Sequence, residues 1–164
     1  KKILLFFIII LISACQSTIE KTDEKSVISC PSVFFSSENN VYTQGKIDNL
    51  DLQEIDYIAS LNNYEFTSNC HLDSYYNYYP ISLLILIEPI NPKDSEVNLP
   101  IFVILYDKEN RVIDKQYFRV LDEIEYKVET SKFQEAEIIS QLNISVRVDQ
   151  EVDSLTVGFV KINK

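Results

Sequence analysis

Ile81-Ser82-Leu83-Leu84-Ile85-Leu86-Ile87-Glu88 and Ile101-Phe102-Val103-Ile104-Leu105-Tyr106 are the two runs whose reading decides the fold. Both are apolar almost throughout, short for a helix, and bounded by prolines at 80, 89, 92 and 100, a residue that cannot donate within a sheet ladder. They read as buried strands. Asp107-Lys108-Glu109-Asn110 then makes a turn, with Asn110 suited to the left-handed position, and Arg111 to Leu121 returns as the partner strand of a hairpin.

The same reasoning extends toward the C-terminus. Tyr126, Val128 and Thr130 alternate with Lys127, Glu129 and Ser131, and Leu142, Ile144, Val146 and Val148 alternate with Asn143, Ser145, Arg147 and Asp149. Such a period of two sets one face in a core and the other in water. Asp153 to Ile162 closes the fold as a final strand, with Leu155, Val157 and Phe159 pointing one way.

Toward the N-terminus the signals are shorter. Val33-Phe34-Phe35 reads as a strand after Cys30-Pro31, and Val41 to Lys46 as another among turn-forming residues. Gln53 to Asn69 fits a helix face through Leu50, Ile55, Ile58 and Leu61 less well than a hairpin turning at Asn62-Asn63. Tyr75-Tyr76-Asn77-Tyr78-Tyr79 is the most unusual cluster: either a platform for a sugar ring or partner, or rings that alternate between core and sheet surface. Many short strands, regular turns and no long amphipathic helix predict an all-β protein, an antiparallel two-sheet sandwich of immunoglobulin-like type with little or no helix outside the leader.

That leader is Lys1 to Cys15: a basic pair, the apolar run Ile3 to Ile12, the small pair Ser13-Ala14, then Cys15. It has the order of a bacterial lipoprotein signal. A spanning helix needs ~20 apolar residues, about twice this run. Cleavage before Cys15 and acylation of its thiol and new amino group are therefore expected, and two or more acyl chains give stable anchoring to a lipid bilayer. An inner-membrane retention Asp does not follow; Gln16 and Ser17 do, so the expected address is the periplasmic side of the outer membrane. The organisation expected is a signal peptide over 1–14, a lipidated Cys and flexible tether over 15–29, and a β-sandwich domain over 30–164.

With Cys15 assigned to lipid, Cys30 and Cys70 remain as a pair, which an oxidising compartment turns into a disulfide worth ~4 kcal/mol by loop-closure entropy. A metal site from Cys30, Cys70 and His71 lacks a fourth ligand and any C-x-x-C spacing. Asp149, Glu151 and Asp153 read as solvated charge in preference to a calcium loop, since the glycine and terminal glutamate of an EF-hand are missing. No metal and no cofactor is expected.

The chain holds 15 Lys and Arg against 25 Asp and Glu, and removal of the leader leaves a net charge of −12. A surface this acidic argues against nucleic acid as a partner. Two glycines argue against phosphate-cradling loops, and no catalytic motif is present. At Cys30-Pro31, Cys70, Leu99-Pro100-Ile101-Phe102-Val103, Asp107 and Val157-Gly158-Phe159 the chain resembles a set of uncharacterised alphaproteobacterial lipoproteins, although Glu88-Pro89-Ile90-Asn91-Pro92 replaces their Arg-Gly-Pro element. The resemblance implies location and fold and carries no activity.

The expected function is that of a noncatalytic envelope structural, assembly or interaction module with an envelope protein as partner. The alternatives are a carbohydrate or peptidoglycan binder using Tyr75, Tyr76, Tyr78 and Tyr79, and a hydrolase whose carboxylates meet only in space.

Overall fold

The computed structural model describes residues 25–45, 55–93, 95–125, 128–129 and 132–161. Their regular structure is all strand: β1 (Ser26–Val27), β2 (Ser32–Phe35), β3 (Val41–Gly45), β4 (Ile55–Phe66), β5 (His71–Leu72), β6 (Tyr76–Pro89), β7 (Glu96–Tyr106), β8 (Val112–Glu123), β9 (Val128–Glu129), β10 (Lys132–Phe133), β11 (Ala136–Arg147) and β12 (Ser154–Phe159). They form two principal sheets packed as a sandwich, plus the small β9–β10 ladder.

The apolar run Ile81–Ile87 lies within β6, the central strand of the first sheet. One edge of β6 pairs antiparallel with β11 along its length, from Arg147↔Tyr76 to Ala136↔Ile87. Its other edge is shared by β4, with β3 outside it, and by β5, with β1 outside that. The second sheet runs β2-β12-β7-β8, antiparallel except for the parallel pair β2 and β12. The last two strands, β11 and β12, thus lie in different sheets, whereas the last two of an immunoglobulin domain share one.

Alternation dictates the core. Ile81, Leu83, Ile85 and Ile87 of β6 and Val97, Leu99, Ile101, Val103 and Leu105 of β7 are all fully buried. Leu142, Ile144 and Val146 of β11 and Leu155, Val157 and Phe159 of β12 join them, each aliphatic side chain contributing about 1.5–3 kcal/mol on leaving water. Val148, expected inside, is 45% exposed because β11 ends at Arg147.

Four further expectations change. The prolines do not all bound strands: Pro80 and Pro100 lie inside β6 and β7, and Pro89 ends β6. The backbone of a strand presents its polar groups to alternate sides. Pro80 accepts from Thr67 N–H at 3.1 Å just beyond the end of β4, so its missing donor falls in the interval before β5. Pro100 accepts from Val160 N–H at 2.9 Å just beyond the last β12 pair, Phe159↔Ile101. At each place the proline forgoes only the reciprocal bond of a pair at a strand's end, and the interior of the ladder is untouched.

Within the stretch expected as a hairpin, Ile55–Phe66 form neither hairpin nor helix but one strand, β4, whose register with β6 shifts between Leu61 and Asn63. The extra residue, Asn62, inverts the alternation, so Tyr57, Ala59 and Leu61 before it and Tyr64 and Phe66 after it all face the core.

The folded part also begins ahead of Cys30, since β1 pairs with β5 and Ile28 packs against the core. Finally, Tyr79 leaves the aromatic cluster for the interior, being 2% exposed. Cys30 and Cys70 form a disulfide with Cα atoms 5.3 Å apart, tying the entry to β2 in one sheet to the entry to β5 in the other.

Candidate functional site

The expected lipid attachment residue, Cys15, and the leader lie outside the described residues. The aromatic cluster is divided by the pleat of β6. Tyr76 and Tyr78 point to the outer face of the first sheet, Asn77 and Tyr79 point inward, and Tyr75 precedes the strand with 72% of its surface exposed.

The inward pair is structural. Asn77 Nδ2 donates to the Gln150 carbonyl at 2.9 Å, and the Tyr79 hydroxyl meets the backbone of Val152, so both hold the connection between β11 and β12. Burial pushes the Tyr79 phenol above its ordinary range. It is unavailable to a ligand.

Asp73 organises the outward pair. Its Oδ1 accepts from the backbone N–H of Tyr75 and of Tyr76, each at 2.7 Å, and its Oδ2 accepts from the Tyr78 hydroxyl at 2.9 Å. The N–H of Tyr75, then that of Tyr76, holds the Asp73 carboxyl below the usual carboxylate range, and the bond to Asp73 raises the Tyr78 phenol. His71 stacks on Tyr78 at 5.1 Å and 17°, covering a ring face. Tyr75 and Tyr76 are left to present their rings to solvent.

A larger surface lies on the outer face of the second sheet. Register places Tyr117 opposite Phe102, Lys115 opposite Ile104, Arg119 opposite Pro100 and Leu121 opposite Asn98. Tyr117 is 70% and Leu121 61% exposed, and Phe34 on β2 adds a third ring at 59%. Phe102 lies across Gly158 of β12: a Cβ at that position would fall 2.5 Å from Phe102 Cζ. Between the rings is an open hollow of about 330 Å³ flanked by Lys115 and Lys161.

The charge here is opposite to that of the whole chain. Lys93 pairs with Asp56, Lys108 with Glu151, Arg111 with Asp107 and Glu109, and Arg147 with Asp149. Among the described residues, Lys115 and Arg119 have no carboxylate in ion-pair reach, and Lys161 donates only to the Glu38 carbonyl. Sequence reasoning passed over this surface, although Lys115-x-Tyr117-x-Arg119-x-Leu121 on one face of a predicted strand was its signal.

The carboxylates at 149, 151 and 153 do not converge. Glu151 is 2.7 Å from Lys108 and Asp149 3.3 Å from Arg147, both on the rim of a charged hollow beside the β7–β8 turn. Among the described residues no group of three His, Cys, Asp or Glu is arranged to hold a metal, and no helix is long and apolar enough to cross a membrane.

Fold and surface together define an all-β sandwich with one solvent-facing sheet surface that is both aromatic and basic. Compared with family models, curated proteins and solved structures, the chain has no significant match.

Proposed function

We propose that this chain is a lipid-anchored, noncatalytic interaction module on the periplasmic side of the cell envelope, placed by acylated Cys15 in the outer membrane, and that the outer face of the second sheet is its contact surface. The observation that carries the contact surface is the concentration of Tyr117, Leu121, Phe34 and Phe102 beside cations that lack carboxylate partners. Tyr, Phe and Arg are enriched in protein interfaces, where a flat ring buries much area at low entropic cost. The order of the leader supports the anchor, and the likeness to alphaproteobacterial lipoproteins agrees with it.

Two measurements test the reading. Intact mass of the native protein, purified without reductant, is expected to show a chain beginning at Cys15 with added acyl mass; an unprocessed cytosolic chain overturns the anchor. Tyr117→Ser with Leu121→Ser is expected to lose the proteins that co-purify with wild type. Recovery of the same proteins by the folded variant would give the contact to another surface.

A glycan-binding reading is favoured by one observation, the exposure of Tyr75 and Tyr76 on the other sheet. It requires that Tyr75→Ser with Tyr76→Ser weaken retention on peptidoglycan; unchanged retention removes it.

A further inference from the structure

The two outer faces of the sandwich are complementary to each other. On the first sheet, Ile139 stands opposite Leu84, beside Leu86, and is 70% exposed. Glu65, Glu88 and Glu137 lie around this apolar centre, all exposed and, among the described residues, without a cation in ion-pair reach. On the second sheet, Tyr117 and Leu121 stand among Lys115, Arg119 and Lys161, with Glu96 and Glu123 confined to the far end of the β7–β8 pair. An acidic rim about an aliphatic centre backs a basic rim about an aromatic one.

Size limits how tight such a contact can be. On the second sheet β7 and β8 run 11 and 12 residues but β2 and β12 only 4 and 6, which at ~3.3 Å per residue and ~4.8 Å between strands gives about 500 Å². Stable protein contacts bury about 800 Å² per partner, so this one belongs with the weak, concentration-dependent contacts.

From this complementarity we infer that the occupant of the second sheet's outer face is a second copy of this chain, presenting the outer face of its first sheet. The contact joins unlike surfaces, so each copy keeps one face free and assembly grows head to tail until a geometric limit stops it. Opposite charge sets the order of the faces, because pairing two basic or two acidic faces brings like charges together. Desolvation of Tyr117, Leu121, Ile139 and Leu84 supplies the apolar part of the contact. The inference rests on the second sheet's face being a contact surface and is independent of the anchor.

The test is sedimentation equilibrium of the full chain in density-matched non-ionic detergent, with micelles in excess over protein. Wild type is expected to gain mass with concentration at low salt and to lose that gain at about 0.5 M salt, where charge attraction is screened. Lys115→Glu with Arg119→Glu, and separately Glu88→Lys with Glu137→Lys, are each expected to associate at least about tenfold more weakly. An equimolar mixture of the two variants restores a contact of opposite charges at every junction, so assembly is expected to return. These positions are exposed, and circular dichroism checks that each variant is folded.

Wild type that stays monomeric at low salt, or reversed variants that assemble like wild type, overturns the inference. A monomeric wild type that still loses its co-purifying proteins on Tyr117→Ser with Leu121→Ser keeps the contact surface and ends the second-copy reading. A monomer that Lys115 and Arg119 retain on an acidic polysaccharide column gives the face to that ligand and likewise ends it.

Discussion

Asn77, 7% exposed in the central strand of the first sheet, donates to the Gln150 carbonyl in the connection between β11 and β12. Asn77→Leu leaves the Gln150 carbonyl without that donor and is expected to cost about 1–3 kcal/mol, while Tyr79→Phe removes one hydroxyl bond at about 1 kcal/mol. Urea unfolding measures both, and an Asn77→Leu cost below that of Tyr79→Phe would contradict this assignment. Gly158 is fixed by the ring above it. Gly158→Ala is expected to destabilise by about 1–3 kcal/mol by forcing Phe102 off the sheet. The penalty should largely vanish when Phe102→Ala is also present, a coupling that a double-mutant cycle detects.

Asp107 shapes the β7–β8 turn. Its carboxylate accepts from the backbone N–H of Glu109 and Arg111 at 3.0 and 2.8 Å and from Arg111 Nε at 2.7 Å, and Asn110 follows at φ 60°. The Arg111 backbone N–H, and then its guanidinium, hold the Asp107 carboxyl below its ordinary 3.8. A depressed folded value means that the unfolded chain binds the proton more readily. The stabilisation is therefore complete above about pH 4 and is lost as pH falls through the folded value. Urea midpoints followed down to about pH 2 should fall less steeply in Asp107→Asn than in wild type; identical slopes would remove Asp107 from the acid response.

Among the elements, β6 and β7 carry the fold, and the prolines within them show where a ladder can do without a donor. Pro80 marks the interval between β4 and β5 along one edge of β6, and Pro100 the end of β12 along β7. In β4 a single extra residue accomplishes what a hairpin was expected to do, bringing both apolar segments into contact with the core. The Cys30–Cys70 bridge closes a separation of 40 residues and joins the two sheets where β2 and β5 are both short. Replacing both cysteines by Ser is expected to lower stability by about 4 kcal/mol by the chain-entropy argument. Urea unfolding of wild type with and without reductant should reproduce that difference, and coincident curves would show the bridge to be idle.

For the whole molecule, opposite charge on opposite faces matters more than the net charge, because a patch within a Debye length of about 8 Å feels its own neighbours first. Tyr117→Ser with Leu121→Ser should change unfolding free energy by no more than about 0.5 kcal/mol, since exposed side chains contribute little to folding. A larger loss in urea unfolding would show these residues to be structural. Strand content, the apolar runs of β6 and β7, the alternation in β11 and β12, the turn at Asp107 and the cysteine pair were legible in the amino-acid order, because alternation, turn chemistry and cysteine count are local properties, whereas Val97, Leu99 and Ile138 joined the core unread. The aromatic and basic face was not, for Phe34, Phe102, Gly158, Lys115 and Tyr117 come together only through strand register across β2, β12, β7 and β8. Sequence alone determined that this chain builds strands with one buried side. Tertiary structure alone decided which strands are neighbours, and with that which outward residues share a surface, because pairing between strands distant in the chain depends on contacts that no local pattern encodes.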